Sequence, residues 1–384
     1  KPIDISKFKE MELDDLDEIL ELTIKGDRSN KLVTFLAQLS AFTESNQFNI
    51  MYNAPSSAGK SYIALQCSKL FPSEDLIILG NCSATAFFHE SGKYNADKNT
   101  IVVDLSRKVL IFTENQHYQL LEKLRGFLSH DEKVMNIKTT DKNQKGGHKT
   151  KNVELVGYAS VIFCTANLRS DDQEKTRFLI LSPEISDSKI KAGIKKVIER
   201  ETGSTEFEQM LSNHSGRKLL KERIVAIRDF EVQDIIMSKE NAQYLEEKFF
   251  EQTLHLQPRH QRDIKRLIDV AKSIALLNIW FRNPINHTIT VDRADIDKAI
   301  ELYLPINVTQ SLGVAPIVYS FYKDIIEKLF WQKNNHNVQV LYENLSYQDI
   351  INFHFKEKSR KLEYNYLRQQ ILPELEACGL IEKI

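Results

Sequence analysis

Met51-Tyr52-Asn53-Ala54-Pro55-Ser56-Ser57-Ala58-Gly59-Lys60-Ser61-Tyr62 is the stretch on which the rest of the chain turns. Before it, Phe48-Asn49-Ile50-Met51-Tyr52 has the apolar run of a short buried strand, and residues 61–70 carry Ile63, Leu65, Cys67 and Leu70 at helical spacing. Small residues between a strand and a helix let successive backbone N–H groups turn onto phosphate oxygens, with the helix N-terminus adding its partial positive charge. Ala54, Pro55, Ser56, Ser57, Ala58 and Gly59 are therefore the expected cradle, Lys60 the cation for β- and γ-phosphates, and Ser61 a hydroxyl ligand for Mg²⁺. Ala54 stands where the usual pattern has its first glycine, and Ala is disfavoured at positive φ. Either the loop opens without a left-handed residue, or this is only a serine-rich turn before a helix.

Length and composition bound the possibilities. At 384 residues the chain has room for two or three domains with cores of their own. Its 52 basic and 53 acidic residues nearly cancel, so any nucleic-acid surface must be local. Cys67, Cys82, Cys164 and Cys378 are widely spaced, without the pairing of a zinc site or disulfide framework, which leads one to expect a reduced, cytoplasmic protein. No apolar run approaches the ~20 residues of a membrane span, and the first residues lack a signal-peptide pattern. No membrane partner is expected. The chain opens at Lys1 rather than Met, which leaves room for a preceding domain.

Residues 1–45 are acidic and helical in period, a lead-in to the first strand. After the loop helix, Leu76-Ile77-Ile78-Leu79 reads as a second buried strand, and Val109-Leu110-Ile111-Phe112-Thr113-Glu114 as a third. An apolar strand ending in an acid is where a nucleotide-hydrolysing sheet places the carboxylate that polarises water, so Glu114 is the candidate base. Thr113 stands where an Asp would help hold Mg²⁺, its hydroxyl able to accept from a metal-bound water. Next, Val134-Met135-Asn136-Ile137-Lys138 and Val153-Glu154-Leu155-Val156 read as a β-hairpin around Gly146-Gly147. Lys138, Lys142, Lys145, His148, Lys149 and Lys151 against Asp141 make its tip a candidate contact for nucleic-acid phosphates. At ~3.3 Å per residue an arm of about seven residues reaches roughly 20 Å. A strand at residues 160–167 ends in Asn167, placed to position water, and Arg177 precedes a further strand, with a guanidinium suited to a neighbouring subunit's nucleotide.

This order of phosphate loop, insertion, acidic strand end, basic hairpin, strand ending in Asn and then Thr176-Arg177-Phe178 resembles the AAA+ ATPase core of minichromosome maintenance (MCM) replicative helicases. The resemblance covers residues 25–305 and is carried by order and spacing more than identity. It implies an α/β AAA+ P-loop core with a parallel sheet and pre-sensor-1 β-hairpin, an α-helical lid, ATP and Mg²⁺ as cofactors, and a homo-hexameric ring. DNA is the implied partner, as a single strand in the pore and a forked duplex ahead of it. Arg177 matches the family's arginine finger, and Arg259 in Arg259-His260-Gln261-Arg262-Asp263-Ile264 stands at its second sensor, with Arg262 as the fallback. Arg259, Arg262 and Arg266 also share helical spacing, as one exposed face would. Superfamily 3 viral helicases share the hairpin and the strand ending in Asn. A loader or initiator that melts DNA without processive unwinding, and an ATP-binding switch with little hydrolysis, are the other readings.

Residues 307–315 read as a linker. Beyond it, helices at 316–332, from Ser346, and at 356–370, followed by an apolar strand at 378–384, suggest a C-terminal winged helix, which either touches DNA phosphates through Lys356, Lys358, Arg360, Lys361 and Arg368, with its third helix in a major groove, or binds another protein. The expected organisation is a helical lead-in (1–45), an ATPase core (46–190), a helical linker and lid (191–306) and the winged helix (316–384).

Overall fold

The computed structural model describes residues 3–83, 87, 92–97, 99–116, 118–130, 132–141, 149–166, 177–253, 256, 258–334 and 343–382. In chain order the strands are β1 (Ile50–Asn53), β2 (Leu76–Leu79), β3 (Lys93–Asn95), β4 (Thr100–Asp104), β5 (Val109–Phe112) and β6 (Val134–Asp141). They continue with β7 (Lys149–Val156), β8 (Ser160–Thr165), β9 (Leu179–Leu181), β10 (Asp234–Met237) and β11 (Thr288–Val291). The first three helices are α1 (Leu13–Glu21), α2 (Arg28–Ser40) and α3 (Lys60–Ser68).

A five-stranded sheet in the order β2-β5-β8-β1-β9 is parallel throughout. Parallel strands covered on both faces read as unbroken apolar runs, and β5 is buried at every position. Alternate side chains serve two cores. Ile50, Tyr52, Ile111, Ile162 and Leu181 join a core shared with α1, α2, α3 and the helices behind them. Met51, Leu110, Phe112, Val161 and Phe163 face helix Tyr118–Ser129 and a second sheet, with Phe112 stacked on Phe163 at 4.5 Å. Because the strands are parallel, their carboxyl ends share one edge. The strand order reverses about β1, which puts the loop after Asn53 at the switch point where open α/β sheets bind ligands.

The second sheet has the order β3-β4-β7-β6. Strands β6 and β7 form the expected hairpin with longer arms, paired from Val134↔Val156 to Asp141↔Lys149. Its root is built in, because β7 pairs in parallel with β4 from Thr100↔Asn152 to Asp104↔Val156. Beyond the Lys138↔Asn152 pair the hairpin outruns β4.

Behind the central sheet, helix Asp187–Thr202 runs through the boundary expected at residue 190, and helices Ser204–Asn213, Ser215–Phe230, Lys239–Glu251 and His260–Leu277 follow. The strands β10 and β11 pair in parallel between them. Helix Arg293–Leu312 includes Pro305 and continues through most of the expected linker, leaving residues 313–315 to make the turn at Gly313, φ 69°. The buried Arg223 guanidinium donates to the Leu277 carbonyl at 2.9 Å and to the Lys9 carbonyl, fastening the amino-terminal segment to helices Ser215–Phe230 and His260–Leu277.

The C-terminal unit has three helical segments around its own core: 316–334, Tyr347–Lys358 and 364–377. The helix expected at 356–370 is corrected. Lys356 and Lys358 end the second helix, which Ser359 closes in the left-handed region at φ 50°, and the third helix begins at Tyr364. Residues 378–382 are turn and coil, so the strand that a wing requires is not formed among the described residues. Cys378 instead ends the third helix, and Leu380 and Ile381 pack on the unit's core.

Candidate nucleotide site at the phosphate-loop edge

The loop takes its shape from two residues other than Ala54. Ser57 (φ 64°) and Gly59 (φ 94°) adopt the left-handed conformation, whereas Ala54 is outside that region and donates its backbone N–H to the Thr165 carbonyl at 3.3 Å. Gly59 is the N-cap of α3, and the Lys60, Ser61 and Tyr62 N–H groups that follow are first-turn donors. Lys60 is buried, its ammonium donating to the carbonyls of Ala54 (2.6 Å) and Pro55 (2.7 Å). Burial lowers its pKa. An arriving phosphate would offer this cation a full negative charge in place of two carbonyl dipoles.

Three strand ends meet here. Ser61 Oγ donates to the Thr113 carbonyl at 3.1 Å, joining the start of α3 to the segment after β5. Below it lies the Cys164 thiol, pushed up to about 11 by burial, with the Ser61 hydroxyl and the Lys60 charge pulling the other way. Thr113 turns its own hydroxyl away, onto the Leu79 carbonyl at 3.2 Å. Glu114 is exposed, and its backbone carbonyl accepts from Gln116 Nε2 at 2.8 Å. Asn115 and Gln116 escaped the sequence reading, and they tie the strand ends together. Asn115 Oδ1 accepts from the Ala166 N–H (3.0 Å), while Gln116 Nε2 donates to the Gly80 carbonyl (2.6 Å) and its Oε1 accepts from the Cys82 N–H (3.0 Å). Their only signal was position, directly after the acidic strand end.

Among the described residues no three His, Cys, Asp or Glu side chains cluster as a metal cage. Mg²⁺ on a triphosphate needs none, since it takes one or two protein oxygens and fills the rest from phosphate and water. The Ser61 hydroxyl fits that role. Thr113 fits it less well, because its hydroxyl is turned to Leu79 on β2, on the side of β5 remote from β1 and its loop.

Arg177 is half-buried, with Nε donating to Ser129 Oγ at 2.8 Å at the end of helix Tyr118–Ser129. Arg259 pairs with Asp263 (3.4 Å), which also holds Arg266 at 2.7 Å. The three arginines are therefore not one exposed face: Arg266 is buried, Arg259 is mostly covered beside Gly313, and Arg262 alone is exposed. Asn167, Thr176, Lys142, Lys145 and His148 lie outside the described residues. Lys138 is exposed on β6; Lys149 and Lys151 belong to β7, their side chains outside the description.

The loop opens into a cavity of about 1240 Å³ between α3 and helix Asp187–Thr202. One wall is stitched by Asp27, which accepts from the Glu184 N–H at 2.7 Å and pairs with Lys189. Ile190, Ile194 and Val197 present an apolar stripe to the cavity, and Lys196, Arg217, Lys221 and Arg360 give it a basic rim. No protein-family model matches the chain, and no curated protein matches it significantly.

Proposed function

We propose that the chain is an ATP-driven motor core of the MCM-like AAA+ type, which assembles into a hexameric ring inside the cell and translocates on DNA to unwind it. The observation that carries this reading is the 3.1 Å hydrogen bond from Ser61 Oγ to the Thr113 carbonyl, which sets the phosphate loop beside the acidic end of β5. Lys60 and the first-turn amides of α3 hold the β- and γ-phosphates, and Ser61 carries Mg²⁺, which neutralises charge on them. Glu114, exposed next to Thr113, takes the proton of the attacking water, and Asn167 orients it. Arg177 and Arg259 are the candidates for a neighbour's nucleotide. Exchange of the Arg177 bond to Ser129 and of the Arg259 pair with Asp263 releases them for it. The basic hairpin, rooted on β4, is the lever that touches the strand.

The test is strand displacement on forked DNA with ATP, with phosphate release read in the same samples and Lys60→Ala run beside the parent. Unwinding and hydrolysis both lost in Lys60→Ala is the expected result, as is loss of unwinding when Lys138, Lys142 and Lys145 all become Glu. Unwinding that survives that triple change removes the hairpin mechanism. DNA-stimulated hydrolysis without displacement favours a loader or initiator. The engagement of the Thr113 hydroxyl with Leu79 supports a second reading, an ATP-binding switch with little turnover. Under it Thr113→Asp raises turnover sharply, whereas in a working ATPase it changes little.

A further inference from the structure

Arg217 lies in the first turn of helix Ser215–Phe230 and is only 6% exposed. Its backbone N–H donates to His214 Nδ1 at 3.2 Å, but no described group accepts from its guanidinium, whose Nη1 is sealed without a partner. The side chain lines the same cavity as loop residues 55–59. One turn further along the helix, Lys221 lines that cavity too. Burial lowers the pKa of both side chains, the Arg217 charge lowers that of Lys221 further, and Glu208 opposes the effect on each without pairing with either. On α3 the group that feels Arg217 is Cys67, seven residues or about 10 Å along the helix from Lys60.

A buried guanidinium without an acceptor is costly, and a second cation beside it adds to the cost. A neutral ligand group such as a base edge or a ribose hydroxyl satisfies one donor and leaves the two charges opposed. An anion satisfies both, and the planar fork of arginine matches phosphate in particular. We propose that Arg217 and Lys221 form a second anion site in the cavity, apart from the phosphate loop, that takes a phosphate group. The group comes from a free phosphate species or from the far end of a ligand anchored at the loop. The site extends the nucleotide-binding reading and is testable without it.

Calorimetric titration with inorganic tripolyphosphate tests it, using Lys60→Ala to disable the loop. One site is expected in Lys60→Ala, weakened at least fivefold when Arg217→Gln and Lys221→Gln are added and largely kept by Arg217→Lys. In the parent, a tripolyphosphate site that survives saturating ATP identifies a free phosphate species as the occupant. Displacement from both sites identifies the nucleotide's own phosphates. Lys60→Ala protein that binds no tripolyphosphate, or a triple variant that binds within fivefold of Lys60→Ala, overturns the site. Should Lys60→Ala leave ATP binding unchanged, the loop reading fails while the Arg217 comparison still stands. Lys221 is exposed, so Lys221→Gln alone keeps the fold and is expected to lose at least threefold. Tripolyphosphate is also expected to raise the melting temperature of Lys60→Ala and not that of the triple variant.

Discussion

Gly157 sits at φ 78° where β7 hands over to β8, and a Cβ there would meet the Ser106 Cα at 2.7 Å. Ser106 lies in the matching turn between β4 and β5, so neither backbone can yield without disturbing both sheets. Gly157→Ala combines a forbidden conformation with a backbone clash and is expected to cost about 2–4 kcal/mol, read as a lower denaturant midpoint; an unchanged midpoint means the turns are free to part. Asp269 makes a different prediction. Burial raises its carboxyl to about 6, although Lys265 lies 2.9 Å away. A folded pKa above the unfolded value means the native state binds the extra proton, so this group's contribution falls as pH rises from about 4 to 6 and is flat above. Asp269→Asn should remove on the order of 3 kcal/mol of that slope between those limits, judged from the difference between the two proteins' stability curves. His130 pulls the other way, held down at about 4 by burial, but it is common to both proteins and cancels in the difference between their curves. Parallel curves for parent and Asn variant would contradict the assignment. Such residues were invisible in the sequence because burial is a tertiary property. The place of Lys60 and Ser61 at the start of a helix after a strand and a loop was legible because it follows from local spacing, while Ala54 misdirected attention from Ser57, where the left-handed turn is made.

At the scale of elements, periodicity was informative wherever one face alone is buried. Helices α1 and α3 follow from it, whereas the parallel strands, buried on both faces, follow from their unbroken apolar runs. What local pattern did not contain was partnership: nothing around Ile101 announces that β4 will pair with β7, since that register is set by two turns some fifty residues apart. The third C-terminal helix was misplaced because the charged run after residue 356 continues a helical composition across Ser359, whose left-handed backbone ends the helix. The start of the helix before it was legible. Ser346 Oγ accepts from the Asp349 N–H at 3.1 Å, Asp349 accepts in return from the Ser346 N–H at 2.9 Å, and Lys333 adds an ion pair at 3.0 Å. These bonds hold the Asp349 carboxyl at about 2. Ser346→Ala should therefore cost about 1 kcal/mol, measured as the melting of the C-terminal unit, and it should raise the Asp349 pKa only part of the way to its ordinary value, since the backbone N–H of residue 346 and Lys333 remain in place. A pKa that stays at its parent value would show that the backbone N–H of residue 346 and Lys333 set it without the hydroxyl.

For the whole molecule, the division of cores matters more than the division of sequence. One core runs from α1 through the central sheet into the helices behind it, so the amino-terminal helices, the sheet and those helices should unfold together. The C-terminal unit has its own core, which meets the sheet at Ile180 on the edge strand. A polar thread crosses the same junction: the Ile317 N–H donates to Ser182 Oγ (3.3 Å), and that hydroxyl donates to the Asn53 carbonyl (2.6 Å), one residue before the phosphate loop. The C-terminal unit is thus seated on the strand end that carries the loop, and Arg360 lines the loop's cavity. Calorimetry of the parent should show two transitions, the smaller belonging to residues 316–384. Ile180→Asp places an unpaired charge in the junction, at a cost of at least ~3 kcal/mol. It should move the two transitions apart and, if the loop holds a nucleotide as proposed, weaken ATP binding, because the thread through Ser182 to Asn53 loosens with it. Two transitions that stay put, with ATP affinity unchanged, would mean the C-terminal unit rides on the core without bearing on the loop.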